Sequence, residues 1–237
     1  MSQNDVTAVL AHGAWADGSS WNKVIAGLRT RGVKAVAAPL PLTSLADDIA
    51  ALERTLELVD GPVVLVGHAY AGAVIGSTAD EKVASLVYVA ALAPDEGETV
   101  ADVFYRAQPH PRAPELGPDR HELIRLPGEA FAGAFAQNAS PQEQAQLAAT
   151  QRPLAAAAIR VPVGRPAWKD RPSWYLVAEE DRMIPAETQR FMAGRMNARI
   201  RTLPVDHLPM LTAPEAVTDI VWEAVQEAGA AMASSNR

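Results

Sequence analysis

The stretch Val63-Val64-Leu65-Val66-Gly67-His68-Ala69-Tyr70-Ala71-Gly72 constrains this chain more than any other. Its opening apolar run, mostly β-branched, reads as a buried strand. A turn carrying Gly67 and Gly72 follows at once, and then small residues suited to a tightly packed helix. Glycine is needed where strand and helix backbones approach too closely for a Cβ. Strand, sharp turn and helix in that order are the layout of a nucleophile elbow, which lifts one side chain over the end of a parallel sheet. The residue at the crest is Ala69. Its methyl group has no nucleophilic atom.

On both sides of the elbow, apolar strands alternate with helices, which predicts a parallel sheet covered on both faces. Further strands are expected at 6–11, 33–38, 83–90, 173–178 and 199–203, making about six with the elbow strand. Helices are expected at 20–30, 70–79, 186–195 and 214–228. Another starts at Thr43 or Ser44 and carries Ile49, Leu52, Leu56 and Val59 at helical spacing, with Asp47 and Asp48 favoured in its first turn by the helix dipole. Residues 230–237 have no buried-face pattern and read as a frayed tail. The alternation breaks over 99–167, which shows no clear strand, many prolines and short helical stretches at 131–137 and 141–150. An insertion of that size between two sheet strands reads as a functional cap. The predicted organisation is an α/β core over 1–98 and 168–237, with a helical cap over 99–167 before the last two strands.

A chain of 237 residues fits one such domain. Its net charge of −7 argues against a nucleic-acid or anionic-membrane partner, since either would want a basic face. The absence of cysteine excludes disulfides, thiolate catalysis and thiolate metal sites. Met1-Ser2-Gln3-Asn4-Asp5 lacks the basic and apolar regions of a signal peptide, and no apolar run approaches the roughly 20 residues of a membrane span. The expectation is a soluble cytoplasmic protein, with a homodimer open.

Hydrolases built on an elbow place nucleophile, acid and histidine in that chain order. Asp181 follows the strand at 173–178, with Glu179 and Glu180 as competing carboxylates. Asp206-His207 follows the strand at 199–203, with Asp206 as a turn residue beside the histidine. Both loops leave the sheet edge where open α/β sheets keep their active sites. A histidine there can reach the elbow, and a neighbouring carboxylate can orient its ring. His12-Gly13-Ala14-Trp15 ends the first strand, so the amides of Ala14 and Tyr70 can form an oxyanion hole. His68 points away from the site by strand alternation. His110 and His121 share no metal-ligand spacing and read as solvated cap residues. Trp15, Phe104, Phe131, Phe135 and Leu208 are candidates for the substrate pocket.

With these motifs in order, the chain resembles the α/β-hydrolase superfamily, and within it the small capped esterases of the plant methylesterase and hydroxynitrile lyase group with their bacterial relatives. The resemblance rests on His12-Gly13-Ala14-Trp15 with Trp21, Gly67 to Gly72, Asp181-Arg182-Met183-Ile184-Pro185, and Asp206-His207. It implies an α/β-hydrolase fold and no cofactor or metal, with Asp181 as acid, His207 as base, and Ala14 and Tyr70 as oxyanion donors. Hydroxynitrile lyases of the group carry threonine and lysine where this chain has Gly13 and Leu208. Epoxide hydrolases usually carry proline where it has Trp15. Both comparisons favour ester hydrolysis, and the expected substrate is a small or medium, largely apolar ester, thioester or lactone. The departure is Ala69, where serine is expected. With every other part in place, it reads as a serine-to-alanine substitution that holds an unreacted ester. A natural non-catalytic binder on the same fold, and an epoxide hydrolase or dehalogenase that has lost an aspartate, are the alternatives.

Overall fold

The computed structural model describes residues 6–235. The expectation for Met1 to Asp5 lies outside them, as does the end of the tail at Asn236 and Arg237. In chain order the core opens with β1 (Thr7–Ala11), a 3-10 turn at Gly18–Trp21, α1 (Asn22–Thr30), β2 (Lys34–Ala38), α2 (Leu45–Glu57), β3 (Val63–His68), α3 (Ala71–Gly76) and β4 (Val83–Val89). The intervening segment holds α4 (Val100–Phe104), β5 (Leu123–Ile124), α5 (Gly128–Ala130) running into a π turn at Phe131–Phe135, α6 (Pro141–Thr150), β6 (Leu154–Ala155), α7 (Ala157–Arg160) and a 3-10 turn at Ala167–Lys169. The core resumes with β7 (Ser173–Ala178), α8 (Ala186–Arg195), β8 (Arg199–Leu203), α9 (Pro209–Thr212) and α10 (Pro214–Ser235).

Six strands form one parallel sheet in the order β2-β1-β3-β4-β7-β8. The four inner strands are almost wholly buried, while β2 and β8 at the edges alternate or lie open. Apolar runs therefore fall in the middle of the sheet and alternating ones at its margins, as two-sided burial requires. β1 and β3 are neighbours in register, Ala11 beside Gly67, so the loops that leave them side by side meet at the C-terminal end of the sheet. The switch of strand order at that point opens the crevice in which such sheets bind ligands.

Local chemistry accounts for the element ends. The Ser44 side chain accepts from the Asp47 amide and starts α2. Thr99 and Ser140 each form a capping box, with Asp102 and Glu143, and start α4 and α6. Three expectations need correction. The elbow helix is short, ending at Gly76. The helix at 131–137 is the π turn Phe131–Phe135. The last helix continues to Ser235, past the end of its buried stripe of Val217, Ile220, Val221, Ala224, Val225 and Ala228. The inserted segment also contains a strand pair that is too short to show a sequence period, the antiparallel ribbon β5–β6.

Candidate active site

At the crest of the elbow Ala69 has φ +48°. The left-handed region costs a residue with a Cβ roughly 1–2 kcal/mol, so the surroundings must impose it. Two amides, those of Gly72 and Leu92, donate to the Ala69 carbonyl at 3.1 and 2.9 Å. The turn admits no bulk. A Cβ on Gly72 would lie 2.3 Å from the Leu92 carbonyl oxygen, and one on Gly67 2.9 Å from that of Ala71. Gly13 approaches from β1 so closely that a Cβ there would lie 2.9 Å from the Ala69 Cβ. The elbow thus keeps its strained geometry although its crest carries only a methyl group.

His207 stands on the loop between β8 and α9, with its Nδ1 2.8 Å from Asp181 Oδ2. Both side chains are almost fully buried. Asp181 also accepts from the amides of Met183 and Ile184 at 2.7 and 2.9 Å and from Gln189 Nε2 at 2.8 Å. The tautomer with its proton on His207 Nδ1 donates to this carboxylate and leaves the Nε2 lone pair free. Among the described residues no hydrogen-bond partner takes Nε2, and His207 borders the cavity above Ala69. Glu179 pairs instead with Arg190, and Glu180 stays exposed. Asp206 is more than a turn residue. It is fully buried and accepts from the Asn138 amide at 3.0 Å and the Thr212 hydroxyl at 2.6 Å, tying the base loop to the inserted segment.

Two buried histidines brace this floor. His68 Nε2 donates to the His207 carbonyl at 2.7 Å, the residue does not border the cavity, and burial holds its pKa well below the ordinary value. His12 donates through Nδ1 to the Gly13 carbonyl and accepts the Leu40 amide on Nε2, and burial lowers its pKa also. Beside the elbow, the Tyr70 hydroxyl donates to Asp48 Oδ2 at 2.6 Å. Burial raises the pKa of Asp48 and, with the Asp48 charge beside it, that of the Tyr70 phenol. Asp48 is thus a buried bridge as well as a first-turn acid. The amides of Ala14 and Tyr70 have no acceptor among the described residues, and both residues line the cavity.

The cavity above the crest is narrow and lined almost wholly by apolar side chains. Of the residues singled out in the sequence, Ala14, Trp15, Ala69, Tyr70, Phe104 and His207 border it. Phe131, Phe135 and Leu208 do not. The two phenylalanines are fully buried behind it, Phe135 edge-on to Trp15 at 6.1 Å and tilted against the His207 ring at 5.3 Å, and Leu208 is fully buried in the loop that carries His207. Their places are taken by Leu92, Val100, Leu116, Ile159, Met183 and Ile184, among others. Of these only Met183 and Ile184 left a signal, because they follow the acid in a loop whose amides must turn back to bind it. Phe104, Tyr105, Leu116 and Met183 also border an adjoining vestibule reaching Pro109, Pro114 and Pro185. Among the described residues no group of acidic or histidine side chains is placed to hold a metal ion, and no helix is long and apolar enough to cross a membrane.

A buried histidine–carboxylate pair stands beside a strained elbow, on loops at the same end of a parallel α/β sheet. The chain belongs to the alpha/beta hydrolase family, whose sequence profile matches residues 8–220. Methylesterase 7 of Arabidopsis thaliana is 28% identical, an alignment covering 90% of this chain and 92% of that protein. The probable hydrolase R7 of a Phoma species is 25% identical over 91% of this chain and 96% of its own length. Among solved structures, the pyrethroid hydrolase PytH superposes with a TM-score of 0.79 at 21% identity, covering 93% of this chain and 98% of that one. Polyneuridine aldehyde esterase does so with a TM-score of 0.73 at 20% identity, covering 92% and 98%.

Proposed function

We propose that this is the site of a serine-type carboxylic-ester hydrolase, of esterase or lactonase kind, in which Ala69 stands where the nucleophilic serine belongs. As it is, the chain holds a small, largely apolar ester or lactone without cleaving it. The observation that carries this reading is the finished state of everything except the nucleophile. His207 has Nδ1 held by Asp181 at 2.8 Å and no partner on Nε2, and two amides without acceptors flank the crest at Ala69. Burying a carboxylate, an imidazole and unpaired amides together is costly unless reaction or binding requires it. The similarity to a methylesterase and to esterases points the same way.

With serine at position 69, the steps follow from the geometry. His207 Nε2 takes the hydroxyl proton as the oxygen attacks the ester carbonyl, and Asp181 stabilises the imidazolium that forms. The amides of Ala14 and Tyr70 receive the oxyanion. His207 then protonates the leaving alcohol, and water activated by the same nitrogen releases the acid from the acyl-enzyme. No cofactor enters. Losing only the nucleophile removes one oxygen and adds no bulk, so ground-state binding survives.

The test is Ala69→Ser, assayed on a panel of p-nitrophenyl esters and lactones. Turnover is expected to rise by about four to six orders of magnitude over the unaltered chain, the scale on which a triad serine acts. Ligand binding with no turnover in the serine variant would establish a non-catalytic binder and overturn the proposal. Activity of Ala69→Asp on epoxides or haloalkanes, with none from Ala69→Ser on esters, would assign the missing group as a carboxylate.

A further inference from the structure

The two amides assigned to the oxyanion hole belong to different loops, which touch where Gly13 packs on Ala69. The inserted segment ties both loops a second time, from outside. The Trp15 indole donates to the Ile124 carbonyl on β5 at 3.0 Å. On the other side the Tyr70 hydroxyl donates to Asp48 Oδ2 at 2.6 Å, and Asp48 Oδ1 accepts the Leu42 amide at 2.7 Å. The Leu42 carbonyl in turn accepts the Ala155 amide on β6 at 2.9 Å. β5 and β6 are the two halves of one antiparallel ribbon, Ile124 opposite Leu154 and Leu123 opposite Ala155. The two residues hitched to the ribbon, Trp15 and Leu42, have φ of +59° and +62°. Left-handed backbone at bulky residues persists only where surrounding bonds over-determine it, and it collects at functional sites.

Resting on the ester-hydrolase reading, we propose that the β5–β6 ribbon is a clamp that sets the oxyanion hole, with Trp15 and Asp48 as its positioning residues. Trp15 adjoins the Ala14 amide and Asp48 grips the side chain whose own amide is the second donor, so the ribbon fixes the two donors relative to each other. Ile124 and Leu154 also face the cavity, so the part that contacts the substrate and the part that stabilises the oxyanion are one element. An oxyanion hole acts through preorganisation, and donors free to drift lose transition-state binding while substrate binding persists.

Two experiments test the clamp. In the Ala69→Ser background, Trp15→Phe and Tyr70→Phe each delete one hydrogen bond and keep a ring in place. Each is expected to lower kcat by roughly 10- to 100-fold with KM within about threefold, and to weaken a boronic-acid transition-state analogue in step with kcat. The double variant should fall short of the product of the two, because both act on one ribbon. A lower Tm with kcat unchanged, or a change confined to KM, would overturn the proposal. In the unaltered chain, ¹⁵N relaxation reads the amides directly. Trp15→Phe should raise the motion of the Ala14 amide, and Tyr70→Phe that of Tyr70. Rigid amides in both variants would overturn the clamp. Loosened amides together with an inert Ala69→Ser protein would leave the clamp standing and remove the hydrolase reading instead.

Discussion

The floor and the roof of the cavity are built on opposite principles. The floor, formed by Gly13-Ala14, the elbow, Asp181 and His207, is held by directional bonds with almost no slack. Asp181 accepts four donors, the Ala69 carbonyl accepts two, and each histidine beneath has its own main-chain partner. The roof, formed by Val100, Phe104, Leu116, Ile159 and Met183, touches the cavity with apolar surface alone. Directional bonds fix atoms to within tenths of an ångström, which chemistry needs. Dispersion and burial fix only volume, which is enough to sort substrates. Damage to the floor should therefore appear as orders of magnitude in kcat, and damage to the roof as small, substrate-dependent changes in kcat/KM.

The sharpest break is made in the floor. In the Ala69→Ser protein, His207→Ala should abolish about as much turnover as the serine restored, since a triad acts as a unit. Asp181→Asn should lower kcat by roughly 10⁴, because an amide facing Nδ1 favours the wrong imidazole tautomer. Both are read by steady-state kinetics on one short ester. An Asp181→Asn variant within tenfold of its parent would mean that the carboxylate only fastens its loop through Met183 and Ile184.

The same contrast decides what could be read from the sequence. Floor residues are few in kind and fixed in place. Gly67 and Gly72 are forced by backbone contact, Asp181 and His207 stand on the loops that leave strands, and the elbow strand is a plain apolar run. The fold and its parallel sheet followed from such signals. The roof is degenerate, since Leu, Ile, Val or Met fills a given volume about equally well. Phe131 and Phe135 looked like pocket residues by size and turned out to be buried behind it, whereas Ile159 and Leu116 carried no mark at all. The ribbon β5–β6 has two residues per strand, too few for a period of two to show. Asp48 was legible only as a helix-start acid, because its partner Tyr70 lies on a different element and no local pattern joins them.

A change of pH separates floor from roof through stability. His12 and His68, both fully buried in the floor, have pKa values pushed by burial below the ordinary 6.5. In the unfolded chain they bind protons at about pH 6.5, and in the folded chain only at lower pH. The unfolded state therefore holds more protons over the interval between. Stability is full above pH 6.5 and falls as the pH drops through that interval, by at most about 1.4 kcal/mol per pH unit for each histidine. Tm measured from pH 7.5 to 5 should decline accordingly. His68→Gln, which can still donate to the His207 carbonyl, should flatten the decline by about half. An unchanged slope would place the acid sensitivity elsewhere.

The smallest effect belongs to the roof, and it is the one that tests whether the roof only sorts. Leu116 lies where the cavity meets the vestibule, together with Phe104, Tyr105 and Met183. Leu116→Ala removes three carbons from that shared wall and no hydrogen bond from the floor. Each methylene of an ester chain that gains or loses apolar cover is worth about 0.8 kcal/mol, a three- to fourfold change. In the Ala69→Ser protein, the kcat/KM ratio of octanoate to acetate p-nitrophenyl esters should therefore shift by roughly three- to tenfold, while kcat on acetate stays within about twofold. A uniform loss of kcat across all chain lengths would show that this part of the roof also holds the floor in register. The clamp would then extend beyond the ribbon to the whole inserted segment, and the division between directional floor and volumetric roof would have to be redrawn at Leu116.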